Sequence, residues 1–587
     1  MKKINLYKLC TVLCLSAMCL SAMAQGSYKS SVWCPDNGDG TFTNPVINAD
    51  YSDPDVCVGA SGEDFYLTAS SFNCIPGLPI LHSKDLVNWQ IVNHAIVALP
   101  PYDRYAIPQH GNGVWAPSIR YNKNNQTYYI YWGDPDLGVF VVTAKDPLGK
   151  WTEPKCVIPG KGMIDTTPLW DEDGKCYLVN GWANSRCQFN SVLTVREMTP
   201  DGMEAISDPV IVFDGNGTPD RTAEGPKFYK RDGWYWIMCP AGGVPVGHQL
   251  AMRSRSPYGP YESKVVLASG NTGINGPHQG GWIHLNSGED WFLHFQDKEA
   301  YGRVVWLEPV KWVDNWPVMG EKLQASKQNK MYNPNLPTLD KYCGQPVMTY
   351  KKPNVGKAYP IVNPVESDEF NTTTLGKQWQ WHANYDQTFG MPTPYGYFRL
   401  FCHKQSADFK NLWEAGNLLL QKTPADNFTA TTKFTLTAKD EGQYGGIICM
   451  GMDYSSLVVR RVGDEFQVQR ITCKGADKGK PESIKVLATL KPTESDKVTY
   501  QPSLHETIYM RLNVKYIGGT TSEGENKHEA QVTFAYSKDG KKWVDAGDPF
   551  TMRQGKWIGA KIGYVAAEPE GKKVRGWLDA DWFRISR

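Results

Sequence analysis

The chain has 587 residues, 12% of them aromatic, and a net charge of +1 from 62 basic and 61 acidic side chains. That length allows several domains, and the charge balance excludes nucleic acid or an anionic membrane surface as the main partner. The 21 Trp and 30 Tyr suit either sugar stacking or the filling of a large all-β core, and composition does not separate the two.

Residues 1–24 are expected to be an export signal. Lys2 and Lys3 supply the charge, residues 9–20 form a short apolar run, and Ala22-Met23-Ala24 fits a small-x-small cleavage site. The run is shorter than the roughly 20 residues that a membrane span needs, and no later stretch is long and apolar enough. Cys19 follows Met18, which does not fit a lipoprotein site. The expected location is periplasmic or extracellular. Three of the 14 Cys lie in this segment, and the other 11 are scattered without a C-x-x-C pair. Zinc is not suggested. Most of these Cys sit in apolar strand-like runs, as buried small hydrophobes do, and the odd count leaves at least one thiol free.

From residue 25 to 320 one pattern recurs. An acidic or Gly turn leads into an aromatic-rich strand, then a second strand, then a polar turn ending in Trp or Tyr. The copies open at Glu63-Asp64-Phe65-Tyr66, Tyr128-Tyr129-Ile130, Asp173-Gly174-Lys175-Cys176-Tyr177, Asp232-Gly233-Trp234-Tyr235 and Glu289-Asp290-Trp291-Phe292. Clear closing turns run up to Trp89, Trp151 and Tyr261. Five copies at about 50–60 residues each predict a five-bladed β-propeller, one four-stranded blade per copy. Residues 321–365, rich in Lys, Pro and Asn, read as a linker. From 366 to 587 alternation returns, as in residues 428–434 and 457–462, with turns such as Lys538-Asp539-Gly540. This predicts a second domain, a β-sandwich. No helix of normal length is expected.

Three carboxylates begin equivalent segments of different repeats. Asp53 lies in Ser52-Asp53-Pro54-Asp55, Asp165 in Ile164-Asp165-Thr166-Thr167-Pro168, and Glu224 in Ala223-Glu224-Gly225-Pro226. Trp115, in Val114-Trp115-Ala116-Pro117, holds the matching place before the second blade. Singly, Asp-Pro is a turn signal. Together, equivalent positions of a propeller point to one axis, so the side chains should converge. Like charges held together raise at least one pKa and keep an acid protonated near neutrality. Hydrolysis of a glycosidic bond needs such an acid, with a base or nucleophile opposite it.

With residues 70–86, which run Ser-Ser-Phe-Asn-Cys-Ile-Pro-Gly-Leu-Pro-Ile-Leu-His-Ser-Lys-Asp-Leu, these motifs resemble glycoside hydrolase family 43. The resemblance covers nearly all of the chain after residue 24. The two-domain form resembles the β-xylosidase and α-L-arabinofuranosidase members, whose second domain is a concanavalin-like sandwich. It implies an inverting exo-glycosidase that releases pentoses from xylan, arabinoxylan, arabinan or pectin side chains. By the same resemblance Asp53 matches the general base, Glu224 the general acid, and Asp165 the carboxylate that tunes and orients the acid. Phe72, Trp115 and Arg303 match groups lining the sugar pocket. His278 matches an axial His, or is a loop residue of a Gly-rich turn. No cofactor is expected beyond a structural calcium at Asp368 and Asp579, which could equally be turn formers. Thr166-Thr167 and an insertion around Pro108-Gln109-His110-Gly111 depart from the xylosidase pattern and leave the leaving-group preference open. The competing readings are an endo-arabinanase, an exo-galactanase and a catalytically dead binding propeller.

Overall fold

The computed structural model describes residues 28–324, 341–496, 502–519 and 527–587. The segment read as an export signal lies outside them. The first half is a five-bladed propeller. Blade one comprises Asp55–Val58, Phe65–Thr68, Gly77–Ser83 and Trp89–Ile96, all antiparallel. Blade two comprises Trp115–Asn122, Thr127–Asp134, Gly138–Ala144 and Lys155–Pro159. Blade three comprises Met163–Trp170, Cys176–Trp182, Val192–Met198 and Val210–Asp214. Blade four comprises Lys227–Arg231, Trp234–Ala241, His248–Ser254 and Glu262–Leu267. Blade five comprises His278–His284, Asp290–Asp297, Arg303–Val313 and Trp316–Met319.

The aromatic second strands explain why blades stack. Alternate residues of a strand face opposite sides of its sheet. In blade two, Tyr128, Ile130 and Trp132 pack against blade one, while Tyr129 and Tyr131 pack against blade three. The other three joints are built the same way, with Val179 against Ile237, Trp236 against Phe292, and Leu293 against Val56. Both faces are apolar, so the strands read as continuous hydrophobic runs. Trp89, Trp132, Trp236, Trp291 and Trp306 are all fully buried, so much of the aromatic content is core. The Trp or Tyr ending each clear repeat closes a turn. Trp89 donates to the Leu86 carbonyl at 2.8 Å, Trp151 to Pro147 at 3.2 Å, and Tyr261 to Pro257 at 2.9 Å.

The ring is shut by the segment before blade one. Ile47 and Val305 exchange backbone hydrogen bonds, and the Asn44 side chain binds both Leu307 and Val347. The stretch read as a linker is partly sheet. Gly344–Gln345 extends blade four, and Thr349–Lys351 pairs with Thr41–Thr43. A local sequence pattern misses this because each partner lies far away in the chain.

The second half is a sandwich of two antiparallel-rich sheets. One is built on Phe428–Ala438, Ser503–Tyr516 and Trp577–Ser586, the other on Tyr444–Met450, Tyr454–Val462, Glu465–Cys473 and Lys561–Glu568. The strict in–out burial along Phe428–Phe434 places one face in the core with Leu457, Ile508 and Phe583. Asp579 is held by two nitrogens of Arg399 at 2.7 and 2.8 Å. Asp368 accepts from the Phe370 and Gly376 amides and the Trp379 indole. With their oxygens taken by these donors, the pair does not fit a shared cation site; among the described residues no cluster of His, Cys, Asp and Glu does. The 11 Cys outside the first segment are unbridged, and only Cys156 is exposed.

The sandwich docks on blades one, two and five. Ile75 pairs with Trp381, His110 stacks face-on to Trp413 at 3.6 Å, and the Ala560 amide binds the Ala300 carbonyl. The insertion around His110 is therefore the strap between the two halves.

Candidate active site

Each blade begins its innermost strand with one residue in the left-handed backbone region. These are Asp53 (φ +54°), Ala116 (+35°), Asp165 (+61°), Gly225 (+60°) and Gln279 (+36°). In blades two, three and five the pairing register slips at this point, as in a β-bulge. Such conformations cost free energy for non-Gly residues and cluster at functional sites. Here the kink turns side chains toward the axis. The structure also corrects the expected register. Asp53 and Asp165 occupy the kinked position itself, but Glu224 stands one residue before it, in line with Trp115 and His278.

Neighbouring stations are tied together. Asp53 Oδ2 accepts from Ser52 Oγ at 2.8 Å and Ser70 Oγ at 2.6 Å, and Ser70 Oγ accepts from the Ala116 amide. Arg303 Nη1 donates to Asp53 Oδ1 at 3.2 Å and to Ser52 Oγ at 2.8 Å. Asp165 is buried and accepts the Gly225 amide at 2.7 Å, with a further bond from the Gln279 side chain. Gly225 is required here, since a Cβ would lie 2.2 Å from Gln279 Cγ. Thr167, part of the Thr-Thr departure, donates to the Pro226 carbonyl at 2.8 Å and so braces the strand behind Glu224.

Glu224 keeps a third of its side chain open. Removal from water raises its carboxyl pKa, and the charges of Asp165 and Asp53 raise it further, to about 8. Burial likewise pushes Asp165 up to about 7. His278 is buried, with Nε2 3.4 Å from Glu224 Oε1 but no hydrogen-bond partner on either nitrogen. Burial holds its pKa well below the usual range, so it is a neutral ring beside the acid and not its counter-ion.

All seven residues read from the sequence line one cavity of about 120 Å³: Asp53, Asp165, Glu224, Phe72, Trp115, His278 and Arg303. Sequence reasoning missed Gln279, Ile164, Val244 and Trp557, which line it too. Gln279 was findable as the fifth copy of the kinked position. Trp557 carries no signal. It comes from the sandwich, is 47% exposed, and stands edge-on to Trp115 at 6.2 Å. Its ring and the Lys556 side chain lie against the strap, where a Cβ on Gly111 would meet Lys556 Cγ at 2.5 Å and Trp557 Cδ1 at 3.2 Å.

The pattern of glycosyl hydrolases family 43 matches residues 42–317, and that of the beta xylosidase C-terminal concanavalin A-like domain matches residues 367–586. A putative beta-xylosidase of Xylanibacter ruminicola is 31% identical over 551 residues, 92% of this chain and 89% of that protein. The chain belongs to glycosyl hydrolase family 43. It is a glycosidase. A non-reducing end alpha-L-arabinofuranosidase of Bacteroides ovatus is 30% identical across 74% of this family 43 chain and 79% of its own. The solved xylan beta-1,4-xylosidase of Bacillus halodurans superposes with a TM-score of 0.74 at 19% identity, over 93% of this chain and all of that one. At that identity it speaks to the fold of this family 43 glycosidase, propeller and sandwich together.

Proposed function

We propose that this glycosidase is exported and removes single pentoses, β-D-xylose or α-L-arabinofuranose, from the non-reducing ends of xylan- or arabinan-type chains with inversion. One observation carries the reading. Three carboxylates meet in one small cavity, and the sandwich narrows its mouth with Trp557. A closed end leaves room for one small ring, which supports exo over endo cleavage. The names of the relatives support the pentose. The acids themselves support an enzyme over a binding module, and Asp53 argues against the exo-galactanase reading.

Glu224 is the general acid, kept protonated near neutrality and within a channel still open to substrate. Asp53 is the base. Three donors and no acceptor point at its oxygens, as suits a group that takes a proton from water. Asp165 positions Glu224 through the Gly225 amide and sets its acidity. Phe72 and Trp115, 6.4 Å apart and edge-to-face, give the sugar an apolar wall, and Arg303 offers hydroxyl contacts beside the base. No step requires a cofactor. Assays on aryl β-xylosides, α-L-arabinofuranosides and β-galactosides test the substrate. Long oligosaccharides as early products would overturn the exo claim.

Two further outcomes are expected. Activity needs protonated Glu224, so it falls as pH rises through that group's pKa. Asp165→Asn removes a charge that raises this pKa, so the alkaline limb of the kcat/KM profile moves to lower pH. A limb that stays in place would remove Asp165 from the tuning role. Trp557→Ala opens the mouth, and the loss of an aromatic contact worth about 0.5–1.5 kcal/mol should lower kcat/KM by about 3- to 10-fold, mostly through KM. An unchanged KM would detach the sandwich from the pocket.

A further inference from the structure

The connection between Cys176–Trp182 and Val192–Met198 of blade three spans residues 183–191 and carries the short helix Asn184–Cys187. In blade two the same connection, between Thr127–Asp134 and Gly138–Ala144, spans only residues 135–137. The longer loop is pinned along the rim of the cavity. The Ala183 amide binds the Gly162 carbonyl at 2.8 Å, three residues ahead of Asp165. Ser191 Oγ accepts the Thr222 amide at 2.7 Å, two residues ahead of Glu224. Between these anchors Arg186 reaches back, donating to Asn112 Oδ1 at 2.9 Å, with its guanidinium 5.9 Å from the Trp115 ring. The loop therefore arcs from Trp115 past Asp165 to the segment bearing Glu224.

We propose that this loop is the platform for the leaving group, with Phe189 and Arg186 receiving the sugar on the far side of the scissile bond. The inference rests on the functional reading above and deepens it. The acid must reach the departing oxygen, so the sugar carrying that oxygen leaves over the rim beside Glu224. The loop presents Phe189, a large apolar side chain 43% exposed, between the helix Asn184–Cys187 and the Ser191 anchor. Its ring lies 5.1 Å from Trp182, whose indole is fixed by a bond to Thr194 Oγ1 at 3.1 Å. Arg186 is set by Asp136 Oδ1 at 2.6 Å, and Asp136 is held in turn by Arg104 of the strap at 2.7 Å. A fixed aromatic face and a fixed fork of donors match the C–H face and the hydroxyls of a pyranose or furanose ring.

The test compares substrates with and without a leaving-group ring. Phe189→Ala should lower kcat/KM on xylotriose or arabinotriose by about 3- to 10-fold, the scale of one lost stacking contact. On a pentosyl fluoride, which has no ring there, it should act like wild type. Phe189→Tyr should restore the trimer rate. Equal losses on both substrates, or none on the trimer, would overturn the platform and leave the pentosidase reading standing. A wild type that hydrolyses neither trimer nor fluoride would overturn both.

Discussion

Glu224→Gln is expected to slow hydrolysis of pentose oligosaccharides by about 10²–10⁴-fold, the usual contribution of general acid catalysis. Aryl glycosides with acidic leaving groups should lose far less, because their oxygen departs with little protonation. The amide keeps the shape of the carboxyl and its place near His278 but has no acidic proton to give. Folding is an independent check. Glu224 and Asp165 both have pKa values raised by burial, so the folded state holds protons that the unfolded chain releases. Their effect on stability is smallest below the unfolded carboxyl range, near pH 4, and becomes a growing loss as pH rises toward 7–8. Glu224→Gln removes one such group, so at pH 8 its melting temperature should be no lower than that of wild type. Equal rate losses on both substrate types would take Glu224 out of the acid role.

Asp53→Asn should reduce both substrate types alike, again by about 10²–10⁴-fold, because water must attack whatever the leaving group. The substitution is also poorly accommodated. Arg303 can only donate, so the amide oxygen must stay on its side, and the NH2 must then turn Ser52 and Ser70, which donate to the carboxylate, into acceptors. Product stereochemistry tests the same assignment without a mutation. Proton NMR of a β-xyloside reaction should show α-xylose first. First-formed β-xylose would mean retention, and Asp53 would then be the nucleophile.

The blades were legible because each repeat carries a second strand that both neighbours bury, and three of the five end in a turn closed by an aromatic donor. The sandwich was legible from strict alternation, as along Phe428–Phe434. The register of the carboxylates was not. Proline follows the kink directly at Asp53, Ala116 and Gly225 but stands three residues after Asp165, so no single spacing from proline marks both the kink and the carboxylates. Trp557 was beyond reach because its place at the mouth is set by the docking of two halves, at His110 on Trp413 and Gly111 on Lys556. The Gly344–Gln345 strand was hidden for a different reason, since its partner in blade four, Leu267, lies far back in the chain.

The ring of five kinks also divides labour between what holds the molecule shut and what it does. The inter-blade cores draw on residues of all four strands, such as Val56, Ile130 and Leu293, while the carboxylates at and just before the kinks line the axial cavity. The apolar residues that join the blades are thus distinct from the carboxylates that do the chemistry. Three of the five kinked residues, Ala116, Gly225 and Gln279, carry no carboxylate at all. A hydrolase and a mere sugar trap on this frame therefore differ by as little as one carboxylate at the axis.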